Sequence, residues 1–288
     1  MVAWLSRQLG AAADAGDVAQ ARAAMRRTTP DFIFGAAAAM ASVSDSRLSG
    51  VPVRRYVPEG SLDGVIVYAH GGGWVVGDLD SHDKVARALA KASRHEVVAV
   101  DYRLAPEHRY PAGLEDCLAV TRTLAATHHT IAVAGDSSGG NLAAVVAQTF
   151  AREQRPLRAQ LLVYPVTECV IEGESYEQWA EGLLTRERMR YYRREYVPDE
   201  ALRADPAVSP LRAQSFDRLA PAYVLLARCD VLYDEGLAYA AKLKAAGVPT
   251  EVEIVPSMMH GFFNLLGFEQ TRAAITRAGA WLAQRLSS

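Results

Sequence analysis

Short, uninterrupted apolar runs recur along the chain, each stopped by a turn signal: VIVYAH near residue 65, VVAVDY near 97, IAVAGD near 131, LLVYP near 161, AYVLLARCD near 222 and EVEIVP near 251. Strands with one wet face alternate polar and apolar residues, whereas continuous runs mark strands covered on both faces. Between the runs lie stretches with helical spacing: SHDKVARALAKAS, AGLEDCLAVTRTLAAT, GGNLAAVVAQTFAREQ and DEGLAYAAKLKAAG. Strand and helix taking turns predicts an α/β architecture, a mostly parallel central sheet flanked by helices. With 288 residues, half of them hydrophobic, the chain can bury one large core.

Two regions break the rhythm. Residues 1–45 are Ala-rich and helical in pattern, and precede the first plausible strand, VPVRRYVP. Residues 168–205 carry YEQWAEGLLTRERMRYYRREY where one ordinary crossover helix is due. The expected division is therefore a core in two parts, 46–167 and 206–288, with the two irregular segments packed as a cap over one sheet edge. The 31 Lys and Arg nearly balance 33 Asp and Glu, for a formal charge of −2, so no overall field draws the chain to nucleic acid or an anionic membrane. Cys117, Cys169 and Cys229 are scattered and lack C-x-x-C spacing, which argues against a disulfide framework or a zinc site and for a reducing compartment. The first residues have only a broken apolar stretch, with Asp14 and Asp17 soon after, so neither a signal peptide nor a membrane span is expected and the location is read as cytoplasmic.

The run IAVA leads straight into GDSSGGNLAAVVA, so Gly135-Asp136-Ser137-Ser138-Gly139 satisfies G-x-S-x-G in the strand, sharp turn and helix context the motif demands. The turn presents the Ser137 hydroxyl above the sheet as a nucleophile. Attack on a carbonyl builds negative charge that fixed donors must meet. Gly71, Gly72 and Gly73 follow the run ending at His70, and bare glycines can aim N–H groups at one point; HGGG has this form in esterases and lipases. Gly72, Gly73 and the amide of Ser138 are the candidate oxyanion donors. A phosphate cradle or a dinucleotide site is disfavoured, because neither G-x-x-x-x-G-K-[ST] nor G-x-G-x-x-G spacing is present.

In this strand-and-turn scheme the acid and then the base follow the nucleophile along the chain. Of seven histidines only His260 lies beyond Ser137, making it the candidate base; His70, His82, His95, His108, His128 and His129 read as structural. Asp230 ends the run AYVLLARCD and would orient the imidazole. Asp234 and Glu235 compete, and are read as the acidic first turn of the next helix.

With these residues placed, the chain resembles the hormone-sensitive lipase family of α/β-hydrolases, which includes bacterial carboxylesterases. The likeness runs from about residue 50 onward through HGGGW at 70–74, DYRLAPEHRYPAGLEDC at 101–117, GDSSGGNLA at 135–143, YPV at 164, SPL at 209, DVLYDEG at 230 and HGF at 260. It implies Ser137, Asp230 and His260 as the catalytic residues, Gly72, Gly73 and Ser138 as oxyanion donors, and DYRLAPEHRYP as the support of the glycine loop. Ser138 stands where alanine is usual and Val231 where proline is common; the first acts through its backbone and the second shapes a loop.

The resemblance also implies a helical cap, matching the two irregular segments. Met189, Tyr192 and Tyr196 recur at i, i+3, i+7 and are candidates for the substrate pocket, with ordinary packing of the cap as the alternative. Trp74, beside the glycines, and Phe262, beside the base, join them as pocket candidates. Arg186, Arg188, Arg190, Arg193 and Arg194, interleaved with tyrosines, are read as a solvated helix face, diluted by Glu187 and Glu195, rather than an RNA contact. The function expected is hydrolysis of small to medium carboxylic esters, needing water but neither metal nor organic cofactor. An amidase or arylformamidase with the same groups, or a ligand-binding receptor on the same scaffold, are the alternatives. A homodimer paired through a sheet edge is left open.

Overall fold

The computed structural model describes residues 18–26, 31–180 and 182–287. Its strands are β1 (Ser42–Leu48), β2 (Val51–Val57), β3 (Leu62–Ala69), β4 (His95–Val100), β5 (Ile131–Asp136), β6 (Ala159–Val163), β7 (Ala222–Cys229) and β8 (Thr250–Met259). They form one sheet in the order β1-β2-β4-β3-β5-β6-β7-β8. β1 and β2 pair antiparallel, as do β2 and β4, while all pairs from β4 through β8 are parallel.

The continuous apolar runs have the expected cause. In β3, Val65 and Val67 pack on one face and Ile66 and Tyr68 on the other, all buried. Helices α4 (Ala112–Ala125), α5 (Ser138–Arg152) and α8 (Tyr233–Ala245) contribute to the first layer, and α3 (Asp83–Ser93) and α9 (Glu269–Leu286) to the second. The irregular segments supply α1 (Val18–Arg26), α2 (Asp31–Phe34), α6 (Ser175–Gln178) and α7 (Arg186–Tyr196).

Two elements differ from the sequence reading. β1 begins inside the segment 1–45 expected to be helical and runs past its end; SVSDSRL is polar and exposed along nearly its whole length, so it carries no apolar signal and is held by its antiparallel ladder to β2. β8 runs past Pro256 to Met259. As the outer strand of the sheet it tolerates a residue without an N–H, and a shift in register between Ala227 and Cys229 brings Cys229 opposite Met259.

That register positions the candidate functional residues. Ala69 of β3 pairs with Gly135 of β5, so the HGGG loop and the Ser137 turn leave neighbouring strands side by side. Cys229 and Met259 pair at the ends of β7 and β8, so Asp230 and His260 emerge together. The chain reverses direction across the sheet between β3 and β5, the switch point where open α/β sheets place their ligands.

Candidate active site

Ser137 sits between β5 and α5 with φ 57° and ψ −120°, a strained conformation costing about 1–3 kcal/mol. Its backbone is held on both sides: its N–H donates to Val163 O, and its carbonyl accepts from the amides of Asn141 and Val166. The helix can start so close to the sheet because Gly139 lacks a side chain; a Cβ there would lie 2.1 Å from Ala69 O.

From the Ser137 hydroxyl a chain of hydrogen bonds runs inward. Ser137 Oγ lies 2.9 Å from His260 Nε2, and His260 Nδ1 lies 2.8 Å from Asp230 Oδ2. Asp230 is 2 % exposed, and its other oxygen accepts the Leu232 amide at 3.0 Å. A buried carboxylate on Nδ1 fixes that nitrogen as the donor, which leaves Nε2 as an acceptor for the serine proton. The ring of Tyr164 packs on His260 at 4.7 Å, and Tyr164 Oη accepts the Phe263 amide.

Asp234 and Glu235, the competing acids, occupy the first turn of α8 but point elsewhere. Asp234 accepts the Ser175 amide at 2.7 Å. Glu235 Oε1 accepts the amides of Thr167 and Glu168, and Oε2 the Tyr176 hydroxyl; burial raises its carboxyl to about 8. Both serve to hold the segment after β6 rather than a helix dipole alone.

The glycine loop is shaped by the same neighbourhood. Gly72 has φ 124° and Gly73 φ 61°, and Gly72 O accepts the amides of Val75 and Val76. Asp136, the first of the two variable residues of G-x-S-x-G, anchors it: Oδ1 accepts the Tyr68 hydroxyl at 2.6 Å and the Gly71 amide at 2.9 Å, and Oδ2 lies 3.4 Å from Asn264 Nδ2. The neighbouring His82 imidazole and the Tyr68 hydroxyl hold the Asp136 carboxyl below the usual range despite its burial. Burial pushes His70 down to about 4, so it is neutral, with Nδ1 bonded to Gly71 O and its ring stacked on Tyr102. Below the loop, Tyr102 donates to His70 O, Ala105 N donates to Trp74 O, and Arg103 pairs with Asp116; DYRLAPEHRYP supports the loop as the resemblance implied.

A cavity of about 190 Å³ opens over Ser137, with His260, Gly72, Gly73, Met189 and Tyr192 in its walls. Ala21, Met25 and Phe34 reach it from the N-terminal segment, and Leu183, Leu184 and Arg188 from the region around α7. Of the pocket candidates Met189 and Tyr192 thus reach the cavity. Trp74 and Tyr196 do not line it: they stack on each other at 4.4 Å, nearly parallel, in the core. Phe262 is also buried, edge-on to Tyr164. Asp136 and His82 line the cavity although the sequence marked neither; His82 Nε2 lies 3.8 Å from Asp136 Oδ1. No spacing rule could have found them, since each acts through contacts made only in the fold.

A family profile described as alpha/beta hydrolase fold matches residues 66–264. The chain is an α/β-hydrolase of the hormone-sensitive lipase family. It is 40% identical over 269 residues to carboxylesterase NlhH of Mycobacterium tuberculosis, covering 88% of this chain and 84% of the relative. It is 38% identical over 229 residues to an ethyl acetate hydrolase of Pseudomonas putida, covering 75% and 72%. Among solved structures, the hyperthermophilic esterase of the archaeon Pyrobaculum calidifontis superposes on this α/β-hydrolase with a TM-score of 0.88, at 33% identity over 93% of this chain and 94% of the other. No helix among the described residues of this α/β-hydrolase is long and apolar enough to cross a membrane.

Proposed function

We propose that this α/β-hydrolase is a serine carboxylesterase acting on small to medium acyl esters. The observation that carries the reading is the unbroken path from Ser137 Oγ through His260 to buried Asp230, with Gly72 and Gly73 in the wall of the same cavity. Ser137 Oγ attacks the ester carbonyl while His260 Nε2 takes its proton. The carbonyl electrons move onto oxygen, where the amides of Gly72, Gly73 and Ser138 donate to the oxyanion. Collapse expels the alcohol, which receives the proton from His260, and leaves an acyl group on Ser137. A water then gives a proton to His260, attacks the acyl carbonyl, and releases the acid as the proton returns to Ser137. Asp230 keeps the imidazole oriented and stabilises the imidazolium in both steps.

Substrate size follows from the cavity. Its volume of about 190 Å³ lies below the ~300 Å³ lower end for drug-sized ligands, which suits short acyl chains. Residues 168–205 act as the cap that closes it, together with α1 and α2 of the N-terminal segment; the expected cap residues 1–17 and 27–30 lie outside the described residues, and the core comprises 206–288 and the stretch up to 167, from β1 at Ser42 rather than from residue 46. Cys117 and Cys169 are buried free thiols and Cys229 is also unpaired, which suits the cytoplasm.

A chain-length series of p-nitrophenyl esters, run beside matched anilides, tests the reading. Acetate to butyrate should be turned over fastest, anilides far more slowly, and Ser137→Ala should lose at least ~10⁴-fold in kcat with its melting temperature kept. Anilides turned over faster than esters would make the protein an amidase. Failure of a fluorophosphonate to label Ser137 in the folded wild type would favour a receptor.

A further inference from the structure

Helix α7 borders two cavities. Met189 and Tyr192 belong to the Ser137 cavity, whereas Arg190, Arg193 and Arg194, at i, i+3, i+4, line a second one of about 490 Å³ with Arg203, Glu172 and Glu200. No residue is shared between the two sets of walls. The second volume falls inside the roughly 300–1,000 Å³ usual for small-molecule sites.

Four arginines face two carboxylates in its wall, although Arg193 also lies 3.9 Å from buried Glu235 and Arg203 Nε donates to Val197 O. Glu172 serves three cations at once, accepting from Arg190 at 2.8 and 3.0 Å, from Arg193 at 3.3 Å, and pairing with Arg186 at 3.1 Å. Glu200 pairs with Arg203 but is largely exposed, so water screens it. Arg193 is 4 % exposed, and its Nε–H has no acceptor among the described residues although the same guanidinium donates to Tyr176 Oη and Glu168 O. Arg194 is 62 % exposed, lies 3.9 Å from Glu195 and sits over the ring of Tyr191 at 5.8 Å.

We propose that this cavity binds a small, multiply charged phosphate compound, free in solution. Guanidinium groups match phosphate oxygens with paired N–H donors, and several of them around one cavity exceed what a single carboxylate ligand would need. The site is separate from ester turnover, so its test does not depend on the esterase reading.

Calorimetric titration of the full chain with sodium pyrophosphate, at ionic strength held constant with sodium chloride, decides the matter. One site of sub-millimolar affinity is expected, unchanged in Ser137→Ala. The double variant Arg190→Gln/Arg194→Gln should bind at least tenfold more weakly, while p-nitrophenyl acetate turnover without pyrophosphate stays at the wild-type rate. Because both changes are at exposed side chains, the variant is expected to fold; a far-UV spectrum and melting curve like the wild type verify that. Should they differ, Arg194→Gln alone must show at least a threefold loss. Equal affinity in wild type and variant, equal binding of sulfate at the same ionic strength, no binding of pyrophosphate, or binding only to phosphatidic acid vesicles would overturn the proposal.

Discussion

Gly73 turns its bare α-carbon to the ring of Tyr192: a Cβ at this position would lie 2.3 Å from Tyr192 Cγ. The loop that carries the candidate oxyanion donors and the helix that covers them are therefore in direct contact. Gly73→Ala must either push Tyr192 out or distort the loop, and its φ of 61° disfavours alanine as well. We expect kcat to fall about 10²-fold, the scale of losing one oxyanion donor. Gly73→Ala/Tyr192→Ala should regain part of that loss because the clash partner is gone. Steady-state kinetics on the single and double variants check this.

Asp230 and Asp234 make a matched pair of tests. Asp230→Asn keeps the shape but presents an amide to His260 Nδ1, favouring the wrong tautomer, and kcat should fall by about 10⁴. Asp234→Asn touches only the Ser175 amide and should leave kcat within a few fold, with a loss of about 1 kcal/mol in urea unfolding. The reverse order of kcat effects would assign the orienting role to Asp234.

Asp136→Ala would strand the Tyr68 hydroxyl and the Gly71 amide in the interior. Denaturant unfolding should show a loss of roughly 2–4 kcal/mol, and kcat should drop with it because the glycine loop loses its anchor. A variant with unchanged stability would remove Asp136 from the support of the loop.

Two buried groups give pH dependence of opposite sign. His70 is neutral down to about 4 in the folded protein, while in the unfolded chain it protonates near 6.5. Between these values the unfolded state binds more protons, so stability falls as pH falls through that window. Glu235 is raised to about 8, so between about 4.5 and 8 the folded state holds the extra proton, and stability falls as pH rises. Unfolding free energies measured from pH 4 to 9 should show the wild type losing ground to His70→Asn on the acid side and to Glu235→Gln on the alkaline side.

The sequence made the inner strands legible because both faces of β3 to β7 are covered, and apolar runs have no other use at that length. β1 escaped notice because its residues face water and only the ladder to β2 makes it a strand. Helical period put Met189, Tyr192 and Tyr196 on one buried face of α7. It carries no information about depth along the helix, so it could not tell that Tyr196 meets Trp74 in the core while Tyr192 reaches the cavity. Spacing located Ser137, Asp230 and His260 because backbone turns and strand ends hold them. Asp136 occupies a position that the motif leaves unspecified, and its role depends on Tyr68 and Gly71 arriving from another strand.

One carboxylate thus ties together groups whose spacing matters most. Asp136 is covalently adjacent to Ser137, holds the loop of Gly72 and Gly73 through Gly71, and approaches Asn264, four residues beyond His260. Asp136 therefore links the turn of Ser137 and the loop of Gly72 and Gly73 through a single side chain. Their relative placement at the rim of the sheet is set by a shared tether.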